Sequence, residues 1–124
     1  MDKEKILTLK KTRREFFRAY VEILKPFLKK LRSKDADVFA ELLYQNSIKS
    51  DIKNKKDRFK LIFDADNRKE MEEHLKMSSQ TFRNSLTNLR YRNLLEKDNT
   101  IPDLYLIVPD REKFALKFNF VFEN

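Results

Sequence analysis

The sequence contains no glycine and no cysteine. Roughly 7 % glycine is ordinary for a soluble protein, so turns that need a positive φ angle must here use other residues, with Asn and Asp the most tolerant. The glycine-rich loops that hold phosphates in P-loop and dinucleotide-binding folds are therefore excluded. Without cysteine, disulfides and thiolate metal sites are excluded as well.

Long apolar runs are also missing. Nowhere do 18 apolar residues follow one another, and residues 1–14 lack the apolar core of a signal peptide. We therefore expect neither secretion nor membrane insertion, and we expect the protein in the cytoplasm, that of a host cell if a phage encodes it. Charged residues make up 39 % of the 124 residues and apolar residues 40 %, which indicates a folded chain with one core.

The positive charge is unevenly distributed. The net charge is +8, and residues 1–34 alone hold 12 basic and 4 acidic side chains. Residues 67–97 hold a smaller basic excess, whereas the residues after 97 are mildly acidic. A polyanionic partner suits such a chain. We predict a basic N-terminal arm with an amphipathic helix at 1–34, followed by a domain at 35–124.

A helix is predicted to start after Thr12. Thr12 and Glu15 have the spacing of a capping box, and a wide stripe of aliphatic and aromatic residues follows. Pro26 lies inside this pattern and is expected to kink or split the helix. The stripe is too apolar for water, so it packs on the domain or against another subunit. Both alternatives stay open, and the second predicts a homo-oligomer or a larger assembly.

The most informative stretch is Asn67–Lys97. Apolar residues three and four apart predict two helices, the first capped by Asn67, with an interruption at Lys76–Ser78 and Ser78 as the second N-cap. A short helix, a tight turn and a longer helix form the layout of a helix-turn-helix unit, whose second helix enters the major groove of DNA. The apolar positions are Met71, Leu75, Met77, Phe82, Leu86, Leu89, Leu94 and Leu95.

After residue 97 the pattern becomes that of strands. Turn residues at Asp98–Asn99 and Pro109–Asp110 flank the apolar run Leu104–Val108. From Phe114 to Phe122, large apolar residues alternate strictly with smaller or polar ones, which is typical of a half-buried strand. The sequence therefore predicts a C-terminal β-hairpin and the fold class α+β.

This order of elements resembles a winged helix-turn-helix domain with an added N-terminal helix, and the match is greatest over Met71–Leu95. The chain resembles small winged-helix proteins of tailed phages and plasmids, those of crAss-like gut phages among them. That resemblance implies DNA binding in transcription regulation or replication. Glu72 replaces the family's small residue, Lys76 its turn glycine and Asn93 the glycine before the wing. Asn93 tolerates the left-handed conformation, whereas Glu72 and Lys76 predict a looser or shifted helix crossing.

Side chains suited to DNA lie on the predicted recognition helix, residues 79–93. Asn and Gln can pair with adenine and Arg with guanine, and no acidic residue lies between Lys76 and Arg92. Cations at the helix ends and in the arm are predicted to contact phosphates. The predicted base-contacting residues are Ser79, Gln80, Arg83, Asn84, Thr87, Asn88 and Tyr91, and the predicted phosphate-contacting residues are Lys76, Arg90, Arg92, Lys10, Lys11, Arg13 and Arg14.

The predicted wing argues against DNA. It contains Asp98, Asp103, Asp110 and Glu112, whereas its only basic residue is Arg111. Such a wing would be repelled by the phosphate backbone. The alternative function is that of a structural or connector protein of a phage particle, for example in the ring between portal and tail, which uses the fold for protein contacts.

No catalytic constellation is visible, and we expect neither enzymatic activity nor a cofactor. The single histidine, His74, follows Glu72 and Glu73 on a polar helix face and has no further ligands at a suitable spacing, so no metal site is predicted. The expected partners are double-stranded DNA and further protein subunits. We expect no small-molecule substrate and no membrane.

Overall fold

The computed structural model describes residues 6–28, 30–109 and 114–123, and within these ranges the chain forms helices joined by short loops. Helix α2 is central, because α1, α3, α4 and α5 all pack against it. The elements in chain order are α1 (Arg13–Leu24), a 3₁₀ turn (Lys25–Phe27), α2 (Ser33–Ile48), α3 (Lys55–Ile62), α4 (Ala65–Leu75), α5 (Ser79–Tyr91) and a second 3₁₀ turn (Asp103–Tyr105).

Helix α1 begins directly after Thr12, as the sequence predicted, and is interrupted near Pro26. The hydroxyl of Thr12 accepts a hydrogen bond from the backbone N–H of Glu15 at 3.1 Å, and the Glu15 carboxylate accepts one from the Thr12 N–H at 3.0 Å. This reciprocal pair confirms the capping box. The helix ends at Leu24, and the chain continues through Pro26 as a 3₁₀ turn, which confirms the predicted interruption.

The aromatic stripe of α1 packs on the domain. Phe17 and Val21 are fully buried, and Tyr20 is nearly so. The ring of Phe17 lies edge to face with that of Tyr44 on α2, with the centroids 6.4 Å apart. The sequence left open whether the stripe packs on the domain or against another subunit, and these residues pack on the domain. The largest fully buried side chains of the shared core are Phe17, Phe39, Phe59, Phe82, Leu42, Leu43, Ile62, Met71, Leu86, Leu89, Leu94 and Leu95.

Helix α3 connects α2 to α4 and sets where α4 begins. Asn54 caps α3, and α4 starts at Ala65 with Asp64 as its N-cap. The prediction that Asn67 caps this helix is therefore wrong. The Asn67 amide instead donates to the carbonyl of Ile62 at 2.8 Å, which ties the first turn of α4 to the end of α3.

The predicted C-terminal β-hairpin is wrong, and with it the α+β winged-helix fold, because the described residues are helical and contain no strand. The Glu96 N–H donates to the Thr100 carbonyl at 2.8 Å and closes the turn after α5. Pro102 follows at once and has no N–H to donate. The 3₁₀ turn Asp103–Tyr105 then changes the direction of the chain, so no strand pair forms here.

The middle of the apolar run Leu104–Val108 packs on the helices instead of forming a strand, whereas Leu104 and Val108 are exposed. The Tyr105 ring packs edge to face on Phe39 of α2, with the centroids 5.9 Å apart. The Tyr105 carbonyl accepts a hydrogen bond from the Tyr20 hydroxyl of α1 at 3.3 Å, and the next two residues also pack against the core. This segment is held in position by the burial of these side chains and not by strand pairing.

The predicted half-buried strand from Phe114 to Phe122 is neither paired nor buried. The side chains of Phe120 and Phe122 are 82 % and 89 % exposed. Phe114 is less exposed because its ring packs edge to face on Phe16 of α1, with the centroids 5.5 Å apart. The prediction of a strand here is wrong, because a strand forms only where another strand can pair with it, and the described residues offer none.

Candidate nucleic-acid interface

Helices α4 and α5 meet at the turn that the sequence predicted. Lys76 adopts the left-handed conformation, with φ 56° and ψ 42°, and the N–H groups of Lys76 and Met77 donate back to carbonyls of α4. This conformation normally favours glycine, so Lys76 occupies the turn position at a cost in backbone strain. Ser78 then caps α5, since its hydroxyl accepts from the Thr81 N–H at 3.1 Å. The two helices and their interruption are confirmed.

The inner face of α5 is fixed to the core. Phe82, Leu86 and Leu89 are spaced by four and three residues and are at most 1 % exposed. They pack in the core beside α2, which α5 contacts along its length. An amphipathic helix held in this way turns its polar side chains outward.

The outer face of α5 is exposed. The Gln80 amide donates to the Asn84 side-chain oxygen at 2.9 Å, and the Thr87 hydroxyl donates to the Arg83 carbonyl at 3.2 Å. The Tyr91 side chain is 88 % exposed. The predicted base-contacting residues that lie exposed on α5 are Ser79, Gln80, Arg83, Asn84, Thr87 and Tyr91.

The hydroxyl of Ser79 points towards α4. It donates to the Glu72 carboxylate at 2.6 Å, and the same carboxylate pairs with Arg68 at 3.4 Å. The guanidinium of Arg68 also lies over the Phe82 ring, 5.4 Å from its centroid. Glu72 is only 9 % exposed, so this contact is inside the angle between the two helices and sets how they cross.

Reasoning from sequence missed this role of Glu72. We treated Glu72 only as a departure from a small residue, which predicted a looser or shifted crossing. A partial signal was available, because Arg68 and Glu72 are four residues apart on one predicted helix and can form an ion pair. What the spacing did not indicate is that the carboxylate would be buried there.

The C-terminal end of α5 is less open than its middle. Asn88, Arg90 and Arg92 are half-buried, and the Arg90 guanidinium donates to the side chain of Asn99. Asn93 ends the helix in the left-handed conformation, with φ 62°, as predicted for a residue in place of glycine. A phosphate contact by Arg90 would have to share its guanidinium with Asn99.

Exposed lysines lie just before α1 and in the turn between α4 and α5. Lys10 and Lys11 are exposed and directly precede the start of α1. Thr12, at that start, and Leu75, at the end of α4, line the same shallow groove. Lys76, also exposed, follows Leu75 in the turn. The groove thus brings together the start of α1 and the end of α4, each of which is next to exposed lysines in the sequence.

Arg13 and Arg14 are used within the fold. The Arg13 guanidinium donates to the Pro109 carbonyl. Arg14 pairs at 2.8 Å with Glu41, whose side chain is 2 % exposed, and lies over the Tyr44 ring at 4.5 Å. The hydrogen bond to the Glu41 carboxylate raises the pKa of Arg14 above its ordinary value. Both arginines contribute to holding α1 in place, whereas Lys10 and Lys11 are exposed residues that precede the helix.

The acidic residues assigned to a wing lie in different surroundings. Asp98 accepts hydrogen bonds from the Thr100 hydroxyl at 2.6 Å and N–H at 3.2 Å, and these bonds lower the pKa of its carboxyl, so it stays ionised in the turn after α5. Asp103 pairs with Lys55 of α3 at 3.1 Å. Residues 110–112 lie outside the described part of the chain. Of the described acidic residues of the predicted wing, Asp103 is thus paired with a lysine and Asp98 is hydrogen-bonded within the turn.

The described residues do not support a metal site or a membrane-spanning helix. Across residues 6–28, 30–109 and 114–123, no group of three or more His, Asp or Glu side chains is arranged to hold a metal ion. His74 is exposed on α4. No helix in these ranges combines the length and the apolarity that crossing a bilayer requires.

Comparisons with known proteins were made by sequence and by structure. No protein-family model matches the chain, no curated protein matches it, and no solved structure matches it. A function must therefore be proposed from the residues of this chain and from their geometry.

Proposed function

We propose that the protein binds double-stranded DNA by placing α5 in the major groove. The observation that carries this proposal is the outer face of α5, which is exposed and free of carboxylates on a helix whose inner face is fixed in the core. The preceding α4 and the tight turn at Lys76 give the order of elements that DNA-binding helix-turn-helix units use.

The side chains on this face have the chemistry to contact base edges. An arginine donates two hydrogen bonds to guanine, and Asn or Gln pairs with the donor and acceptor of adenine. Arg83 and Asn84 lie side by side in the middle of the exposed face, and Gln80 lies one turn before them. An α-helix with its side chains is about 10–12 Å in diameter and the major groove is about 12 Å wide, so α5 fits the groove.

Phosphate contacts are assigned to the exposed lysines. Lys10 and Lys11 precede α1 beside the groove that Leu75 lines, and Lys76 lies in the turn. Lys76 would contact the backbone beside the N-terminal end of α5, and Lys10 and Lys11 would add contacts from the start of α1. The ion pair between Asp103 and Lys55 removes one of the carboxylates that argued against a polyanionic partner.

The test compares two variants that each lose one positive charge. Arg83→Ala combined with Asn84→Ala should weaken binding to duplex DNA by about 10- to 100-fold, because one or two base contacts worth about 1–3 kcal/mol each are lost. Lys60→Ala removes an exposed charge from α3, which packs on α2 and α4, and should change the affinity by less than about threefold. Both variants should keep the Tm of the parent protein.

The measurement is fluorescence anisotropy with a pool of random duplexes, followed by duplexes selected from it, at several salt concentrations. With three lysines on phosphates, the slope of log affinity against log salt should be near −3 for the parent protein and near −1 for Lys10→Ala with Lys11→Ala. Absence of duplex binding, or equal affinity of the Arg83/Asn84 variant and the parent, would overturn the proposal.

A second candidate is a structural protein of a phage particle that uses its surfaces for protein contacts. One observation favours it, namely the aromatic side chains exposed between Phe118 and Phe122. Mass spectrometry of purified particles separates the two candidates, because a structural protein occurs in them at fixed copy number whereas a regulator is missing.

A further inference from the structure

The tail, defined here as residues 114–123, becomes more exposed along its length. Phe114 and Leu116 are 44 % and 37 % exposed, whereas Phe120 and Phe122 are 82 % and 89 % exposed. The contact between Phe114 and Phe16 attaches the start of the tail to α1. The end of the tail presents its aromatic side chains to water.

An alternating segment of this kind is stable as a strand only if a second strand pairs with it. The described residues contain no strand, so they offer no sheet edge that the tail of the same chain could join. A second copy of the chain brings an identical tail. Two identical segments can pair around a two-fold axis if their sequence is complementary to itself in the antiparallel direction.

We propose that the tails of two copies pair as antiparallel strands, with Phe120 opposite Phe120 of the second copy. In this register Phe118 of each copy lies opposite Phe122 of the other copy, on the aromatic face. On the other face, Lys117 of each copy lies opposite Glu123 of the other copy. Two cross-strand ion pairs and a continuous aromatic face therefore form together, and both kinds of pair stabilise antiparallel strands.

Other registers do not form both the ion pairs and the continuous aromatic face. A register centred on Lys117 places two ammonium groups opposite each other, which is unfavourable. Registers centred on Phe118 or Asn119 place Lys117 opposite Asn119 or Val121, so the ion pair is lost. Any shift by one residue brings the aromatic face of one tail to the polar face of the other. The register centred on Phe120 satisfies both faces.

Charge reversal tests the register in the full-length protein. Lys117→Glu places two carboxylates opposite each other, as it faces Glu123, and should raise the dissociation constant of the dimer by about tenfold. Glu123→Lys should weaken the dimer similarly. Combining the two substitutions restores opposite charges and should return the constant to within about threefold of the parent value. Sedimentation velocity over about 1–100 µM protein, the range of a weak dimer, gives the constants.

The matched control is Lys60→Glu, which makes the same change in charge on the exposed surface of α3. It should leave the dissociation constant unchanged. A parent protein that stays monomeric over the whole range overturns the proposal. So does equal weakening by Lys60→Glu, or a charge-swapped double variant that fails to recover.

Cross-linking gives an independent test, because the chain contains no cysteine. In the proposed register only residue 120 faces its own copy, so Phe120→Cys should form a disulfide-linked dimer under mild oxidation. Phe118→Cys removes the same kind of side chain but faces residue 122, and it should cross-link far more slowly. Faster cross-linking at 118 than at 120, or assembly beyond the dimer, would overturn the two-fold register.

Discussion

The hydroxyl of Ser79 donates a 2.6 Å hydrogen bond to the carboxylate of Glu72, a residue that is 9 % exposed. A short hydrogen bond to a charged acceptor is stronger than one between neutral groups. The two residues belong to α5 and α4, so the bond joins the helices in a defined orientation. A small residue at position 72 would join them by packing alone.

Glu72→Ala should therefore lower the free energy of unfolding by about 1–3 kcal/mol, because Ser79 and Arg68 lose their shared acceptor. The control is Glu73→Ala, at an exposed position of the same helix, where a change within about 0.5 kcal/mol is expected. Urea unfolding followed by circular dichroism measures both. Equal effects of the two substitutions would contradict a special role for Glu72.

Lys76→Gly should stabilise the protein by about 1 kcal/mol, because a left-handed lysine carries a steric cost that glycine does not. Lys69→Gly, in the interior of α4, should have the opposite effect of about 1 kcal/mol, since glycine is a poor helix former. Differential scanning calorimetry should find a higher Tm for the first variant and a lower Tm for the second. Destabilisation by both would mean that the Lys76 side chain has a stabilising contact.

Arg14→Ala should destabilise the protein because it leaves the buried Glu41 carboxylate without its cation. Breaking a fully buried pair costs about 3–5 kcal/mol, and the effect here should be nearer 2 kcal/mol since the Arg14 side chain is 38 % exposed. Arg14→Met combined with Glu41→Leu removes both charges and should recover most of the loss. A double variant less stable than Arg14→Ala, measured by urea unfolding, would contradict this account.

The capping box of α1 makes a contribution to stability that depends on pH. Hydrogen bonds from the Thr12 N–H and hydroxyl lower the pKa of Glu15 in the folded state. The contribution is present above the unfolded pKa of about 4.3 and is lost as pH falls through the folded value. NMR titration should place the Glu15 midpoint below the ordinary value, and Thr12→Val should move it upward. An identical midpoint in both proteins would contradict a contribution from the Thr12 hydroxyl.

Much of the local structure could be predicted from the sequence, because its causes lie within a few residues. The capping box at Thr12, the interruption at Pro26, the cap at Ser78 and the left-handed Asn93 all depend on near neighbours along the chain. The exposed and buried faces of α5 also follow from helical spacing, which is why most of its predicted base-contacting residues are exposed.

What the sequence did not determine depends on contacts between distant residues. Alternation from Phe114 to Phe122 indicates a strand, but a strand needs a partner, and Pro102 with the following 3₁₀ turn directs Leu104–Val108 onto α1 and α2 instead of into a hairpin. Only the tertiary structure showed that Arg14 is paired with the buried Glu41 and that Glu72 bridges α4 and α5. The physical reason is that helix caps and amphipathic faces arise from local geometry, whereas strand pairing and burial of charge are decided by which distant groups the fold brings together.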